Sequence, residues 1–266
     1  MTSQDLNLLA EKEESSQEYI QAFWVGLLEG DGTITVSKNK SSKTLKVRIV
    51  ISLLNFKENL EMLNLILKYM GGRVVIERNN RYVTWIASNK SDLIKAFKVL
   101  DKYPLLTSRK QYQLKFALSC LSNPDMFNYR NNKYDFENSE GVLIVSDCDL
   151  IPYFKPWLSG FIEAEGSFSL ILNDSGCPHI KKCKFSIGQN TDRFILDLIK
   201  QYFHCTHVIT IDKPKHDSKF KHYRMSLSGS NFRAKLIQHL NVHPLLGYKK
   251  VSYEKWVRFF VNRNKL

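Results

Sequence analysis

The stretch AFWVGLLEGDGTITV (22–36) returns in altered form as KPWLSGFIEAEGSFSL (155–170). Gly26 matches Gly160, Glu29 matches Glu163, Asp31 matches Glu165 and Gly32 matches Gly166, all at an offset of 134 residues. A second pair, YPLLTSRKQYQLKF (103–116) and HPLLGYKKVSYEKW (243–256), repeats at an offset of 140. That period is far longer than the ~20–50 residues of solenoid repeats. It marks a duplicated domain, and pseudo-twofold symmetry is its natural consequence.

Each copy reads in the same order. A helix over about 18–31 carries Phe23, Leu27 and Leu28. TITVSK then alternates Ile34 and Val36 with Thr33, Thr35 and Ser37, the period of a half-buried strand. TLKVRIVISL continues the sheet, with Leu45, Val47 and Ile49 opposite Lys46 and Arg48. KENLEMLNLILKYM is predicted as a helix with Leu60, Leu63, Leu67 and Met70 on its apolar stripe, ended by Gly71 and Gly72. A hairpin around Asn79 and Asn80 puts Val74, Ile76, Val83 and Trp85 on one face and Arg73, Glu77, Tyr82 and Thr84 on the other. Ser91 is the expected cap of a helix through Leu100, and a last helix follows Thr107 and Ser108. The second copy predicts a helix at 156–165, strands near 167–173 and 180–189, and a helix at 191–203. Strands near 207–212 and 220–228 and two helices complete it. The fold class is α+β, with one face of each sheet apolar and the other polar or basic.

Charge divides the chain in the same way. Residues 20–124 hold 17 bases and 7 acids, and residues 150–266 hold 19 and 8. Residues 1–19 carry one base against five acids, and residues 125–149 carry two against six. The domain reading is an acidic extension (1–17), a first domain (18–124), an acidic Asn-rich linker (125–150) and a second domain (151–266). A net charge of +13 on two basic modules points to a polyanionic partner. At 43% hydrophobic and 12% aromatic the chain fills real cores, which excludes the disordered class. Five cysteines without a CxxC pair argue for reduced thiols and an intracellular setting. No apolar run approaches the roughly 18 residues of a membrane span, and the acidic N-terminus resembles neither a secretory signal nor an Arg-rich transit peptide.

The glycine-bearing helices hold the chemistry. Gly26 and Gly30, like Gly160 and Ala164, are four apart on one helical face, where small side chains let two backbones pack closely. Asp31 and Glu165 fall at helix C-termini, where the macrodipole disfavours negative charge by roughly 0.3–1 kcal/mol. If the helices pack in parallel, the two carboxylates also repel each other. A divalent cation between them removes both penalties, and oxygen ligands suit Mg²⁺ or Ca²⁺.

WVGLLEGDG (24–32) and LSGFIEAEG (158–166) resemble the two motifs of the LAGLIDADG homing endonucleases in their single-chain, two-repeat form. Trp24 and Val25 replace the usual Leu-Ala, and the second acid is Glu. The resemblance implies two pseudo-symmetric αββαββα domains, each with an antiparallel sheet forming half of a DNA-binding saddle. It also implies a monomer that makes a metal-dependent double-strand break with 3′ overhangs at a long, asymmetric DNA target. Mg²⁺ is the implied cofactor, with Ca²⁺ or Mn²⁺ as substitutes. The metal-binding acids would be Asp31 and Glu165, aided by the carbonyls of Gly30 and Ala164. Lys110 and Lys250 resemble the basic residues flanking such sites, and Gln189 a polar pocket residue. A mitochondrial or other organellar location follows from the family alone.

The DNA contacts expected on the sheets are Lys46, Arg48, Arg73, Tyr82, Thr84, Lys182, Lys184, His222 and Arg224, since Arg and Lys reach guanine edges and Thr and Tyr reach bases or phosphates. The basic loop DKPKHDSKFKH (212–222) suits backbone phosphate. Cys177, His179, Cys183, His204, Cys205 and His207 invite a zinc reading, but C-x5-C is not a usual zinc spacing. Two other functions stay open: a splicing cofactor for intron RNA on the same scaffold, and a DNA-binding protein without cleavage.

Overall fold

The structure, a computed structural model, describes residues 3–38, 44–123, 142–172, 180–212 and 221–263. Its first domain runs α1 (Ser3–Asp31), β1 (Gly32–Lys38), β2 (Leu45–Leu54), α2 (Lys57–Met70), β3 (Arg73–Glu77), β4 (Tyr82–Ala87), α3 (Lys90–Lys102) and α4 (Ser108–Ser122). A short 3-10 turn (Cys148–Leu150) leads into the second domain. There the order is α5 (Phe154–Glu165), β5 (Gly166–Leu172), β6 (Ile180–Asn190), α6 (Arg193–Tyr202), β7 (Ile209–Ile211), β8 (His222–Leu227), α7 (Ser230–Val242) and α8 (Lys249–Arg263). The two sheets are antiparallel with strand orders β1-β2-β4-β3 and β5-β6-β8-β7. The duplicated αββαββα architecture is therefore present in full.

Register carries the alternation into three dimensions. Thr35 pairs with Arg48 and Ser37 with Lys46, while Ile34 pairs with Ile49 and Val36 with Val47. The second set is buried, and Thr35, Ser37, Lys46 and Arg48 are exposed. Phe168–Phe185 and Leu170–Cys183 turn inward in the second domain, leaving Ser169–Lys184 on the outer face. A continuous core joins both domains through α1 and α5, with Trp24, Trp85, Trp157 and Trp256 fully buried in it.

Three details differ from expectation. Asn89, not Ser91, caps α3: its side chain accepts from the Asp92 N–H at 2.8 Å, and Ser91, two residues on, already lies inside the helix. The buried stripe of α2 is Asn59, Met62, Leu63, Ile66 and Met70, with Leu60 and Leu67 only half-buried, because α1 and β4 both press on that side. The helix placed at 18–31 begins at Ser3, and Glu13 and Glu18 on it pair with Lys68 (3.3 Å) and Lys102 (2.7 Å). As exposed pairs they are screened by solvent and add little.

Candidate active site

Contact between α1 and α5 explains the small residues. A methyl group at Gly26 would collide with the carbonyl oxygen of Trp157, and one at Gly160 with the carbonyl oxygen of Phe23. Phe23 and Trp157 are themselves 134 residues apart, so these two contacts are the same contact seen from each domain. One turn further on, Gly30 faces the Ala164 side chain. Positions advance together along both helices, so the helices run parallel and bring their C-terminal ends together.

Asp31 and Glu165 meet at that end. A Cβ at Gly30 would lie 3.4 Å from the Glu165 Oε1, which places the second domain's carboxylate against the first domain's helix. By surface area Asp31 is open to solvent. Protein nevertheless crowds the inner side of its carboxyl, and this desolvation lifts its pKa to about 6 against the opposing pull of Lys249 and Lys110. Glu165 is half-buried and also raised, first by desolvation and then by the charge of Asp31. Two carboxylates that resist ionisation and repel each other form an all-oxygen donor pair suited to a hard divalent cation.

Lys110, in the first turn of α4, is 1% exposed. Burial and the neighbouring Arg109 lower its pKa to about 8, while Glu29, Glu165 and Asp31 work the other way. In the second domain the lysine acting on both acids is Lys249, at the first position of α8, whereas Lys250 is exposed. The offset of 140 therefore pairs the sequences and the loop amides held by Glu29 and Glu163, but not the lysines that act on the acids.

The other acid of each motif has a different task. Glu29 is buried, and its Oε1 accepts the N–H groups of Leu106 and Thr107 (2.9 Å for Thr107). Its Oε2 accepts the Trp157 indole N–H at 2.7 Å. Desolvation raises its pKa to about 7. Glu163 accepts from the N–H groups of Gly247 (3.1 Å) and Lys249 (2.9 Å), and burial raises it as well. Each motif helix thus holds the loop that leads into the lysine-bearing helix. The repetition of these glutamates was visible in the sequence, but their loop partners were not.

Of the residues expected at DNA, Lys46, Arg48 and Arg73 are exposed on the outer face of the first sheet, and Tyr82 is half-buried under the Arg78 guanidinium. Thr84 is a correction. It is 2% exposed and its hydroxyl is engaged with Ser52 (2.9 Å) and Glu77 (3.1 Å), so it braces the sheet and does not stand free on its outer face. On the second sheet, Arg224 pairs with Asp212 at 2.8 Å, and His222 hydrogen-bonds Asn190 at 2.9 Å. Lys184 is half-buried on the outer face, and the Lys182 backbone pairs with Ile171. Gln189 has the inward parity of β6, and its Oε1 accepts from the Asn190 N–H at 3.0 Å.

The tip of the basic loop (213–220), Cys177 and His179 lie outside the described residues. Cys183 is buried beneath Arg233, and His207 bonds to Ser228, so these two sit in separate local contacts. Among the described residues, one group of three potential metal ligands stands together: Asp147, Cys148 and Asp149. This cluster could coordinate a divalent ion. However, Asp147 Oδ1 already accepts from the Asp149 N–H (3.0 Å) and Gln201 Nε2 (2.8 Å), and a thiol is a poor ligand for Mg²⁺. We read it as the cap of the 3-10 turn.

The family model described as LAGLIDADG endonuclease matches residues 24–120 and 158–260, once for each domain. The chain belongs to the LAGLIDADG endonuclease family. It is 36% identical to a protein of Dictyostelium citrinum named "Probable intron-encoded endonuclease aI3", over 94% of this chain and 99% of that one. It is 33% identical to a Debaryomyces hansenii protein of the same name, over 91% of this chain but only 38% of that longer one. Among solved structures, the LAGLIDADG meganuclease I-CpaMI bound to uncleaved DNA superposes with a TM-score of 0.70 at 17% identity, covering 92% of each chain. I-SmaMI, bound to its uncleaved DNA target in the presence of calcium ions, gives 0.68 at 18% identity and the same coverage. At these identities the two structures establish the LAGLIDADG fold.

Proposed function

We propose that this protein is a monomeric, divalent-metal-dependent DNA endonuclease that makes a double-strand break with 3′ overhangs at a long, asymmetric site. The observation that carries this reading is the convergence of Asp31 and Glu165, one from each domain, at the ends of two parallel helices. These two carboxylates and the carbonyls of Gly30 and Ala164 would hold Mg²⁺, which when bound lowers the pKa of water and neutralises the leaving oxygen. Lys110, with a pKa near 8, keeps its proton through neutral pH beside both acids, where it would stabilise charge growing on a phosphate. Lys249 would serve the second domain in the same way. Exposed Lys250 fits a phosphate contact, and Gln189 a supporting one at the end of β6.

The exposed cations on the outer sheet faces, with Lys184, His222 and Arg224 on the second sheet, would track the duplex. Solved neighbours of the same fold were seen on DNA, one of them with calcium present. An organellar, mitochondrial setting and assistance to intron RNA splicing extend the reading, since the relatives carry "intron-encoded" in their names. Retention of both acids favours cleavage as the primary activity. Selection of cleaved sites from a randomised duplex library, with Mg²⁺ and with a chelator, tests the proposal. A metal-dependent, non-palindromic consensus is expected, and intact DNA in both arms would overturn it.

A further inference from the structure

The last helix of each domain is capped by a side chain from the other domain. Ser108, the first residue of α4, donates its N–H to Asp192 Oδ2 at 2.9 Å and its hydroxyl to Asp192 Oδ1 at 2.6 Å. Asp192 immediately precedes α6 in the second domain and is 5% exposed. The local candidate for this cap, Thr107, makes no side-chain cap bond. The mirror contact runs the other way. Tyr248, directly before α8, donates its N–H to Asn59 Oδ1 at 2.9 Å, and Asn59 lies in the first turn of α2 in the first domain. The Asn59 amide is itself fixed by a 2.9 Å bond to the Leu54 carbonyl, and Phe56 stacks on Tyr248 at 4.0 Å. Nothing in the local sequence announces either contact, because each joins residues 84 or 189 positions apart.

Both capped helices begin with the lysines that face the acids. We propose that Asp192 and Asn59 are positioning residues, each setting the placement of the active-site lysine in the opposite domain. The proposal rests on the endonuclease reading for its catalytic consequence. Its physical basis is the unpaired N–H groups of a helix start, which favour an acceptor and, more strongly, a negative one. Asp192 offers a carboxylate with two bonds; Asn59 offers a neutral amide with one. The two strands of the substrate should therefore depend on their caps to different degrees.

The test uses the full-length protein and a target duplex with a different label on each strand, followed in single turnover with Mg²⁺. Asp192→Ala should slow one strand on the order of tenfold relative to the other and accumulate a nicked intermediate, in keeping with the loss of a helix cap. Asn59→Ala should slow the opposite strand by a smaller factor. Asp192→Asn, which keeps an acceptor, should restore most of the lost rate. Ser108→Ala should reproduce a fraction of the Asp192 effect on the same strand and serves if Asp192→Ala fails to fold. A purely structural role would lower both strands together; equal slowing, or the same strand slowed by both caps, overturns the proposal.

Amide exchange supplies a readout independent of cleavage. Asp192→Ala should accelerate exchange at the start of α4, and Asn59→Ala at the start of α8. Unchanged exchange at both helix starts also overturns the proposal. Failure of the wild-type protein to cut any duplex would sink the endonuclease reading instead and leave the caps to be judged on exchange.

Discussion

The two domains share a backbone plan and differ in how they hold their chemistry. In the first, Glu29 gathers two loop amides and the Trp157 indole; in the second, Glu163 gathers two amides, because the residue matching Trp157 is Phe23. Lys110 is buried beside the two acids, whereas Lys249 is half-exposed. The first sheet exposes Lys46, Arg48 and Arg73, while the second holds Arg224 against Asp212. Backbone contact between α1 and α5 has kept its symmetry because both copies must satisfy the same steric limit. Side chains that touch only one partner were free to diverge. A duplicated scaffold can thus hold two chemically unequal sites.

The largest expected effect strikes what the domains share. Gly26→Val or Gly160→Val would drive a branched side chain into a carbonyl oxygen of the opposite helix. Each should cost more than about 4 kcal/mol or prevent folding, an overpacking effect at the extreme of single substitutions. Denaturant unfolding measures this, and near-wild-type stability in either variant would break the symmetric-interface account.

A smaller effect should appear where the domains differ. Trp157→Phe converts the environment of Glu29 toward that of Glu163. Loss of one bond to a buried carboxylate should destabilise the fold by about 1–3 kcal/mol. Phe23→Trp should give no matching gain, because Glu163 already has its loop amides. A stabilised Phe23→Trp variant would show that the difference between the copies is accidental.

Base preference sharpens the comparison on the sheets. Asp212 pre-orients Arg224 through a 2.8 Å contact. If the guanidinium reads a guanine, Arg224→Ala should remove about 1–3 kcal/mol of discrimination at one or two base pairs of a single half-site. If it touches phosphate, affinity should fall evenly and the salt slope become shallower by about one unit. Profiling against all single-base variants decides between them, and equal relaxation in both half-sites would contradict the assignment of one sheet to each half.

The smallest effect concerns a histidine found in the second domain only. Tyr202 bonds His239 Nδ1 at 3.0 Å, and His239 Nε2 meets Ser159 Oγ at 3.1 Å while that hydroxyl donates to the His243 carbonyl at 2.7 Å. The chain of donors leaves Nε2 carrying the proton and Nδ1 accepting, so the ring is neutral. Burial, then His243 and Lys155, lower its pKa to about 3. The unfolded chain, near 6.5, binds more protons than the folded one between those values, so this contribution is present above pH 6.5 and is lost as pH falls toward 3. His239→Gln should flatten the acid side of the melting-temperature profile. A slope as steep as that of the wild type would show that His239 is not its source.

Period and repetition made the architecture legible: alternation in TITVSK, the Gly71–Gly72 stop and the offset of 134 all reappear as strand, helix end and parallel helix pair. The same is true of Asp31 and Glu165, because the duplicated motif fixes both the helix face and its end. What stayed hidden depends on approach between distant segments. Thr84 has the parity of an outward residue, yet Ser52 and Glu77 close over it. Lys249 rather than Lys250 acts on both acids, although the aligned repeats pair Lys110 with Lys250. Asp192 and Asn59 act on loops of the other domain, which no local pattern encodes.

Cleavage by Asp31→Asn and Glu165→Gln, singly and together, measured beside binding to the same duplex in Mg²⁺, tests the central claim most directly. The account predicts that each substitution abolishes double-strand cleavage while specific binding persists, because the carboxylates hold the cation and contribute little to base contact. A double variant that cuts at the wild-type rate would contradict it.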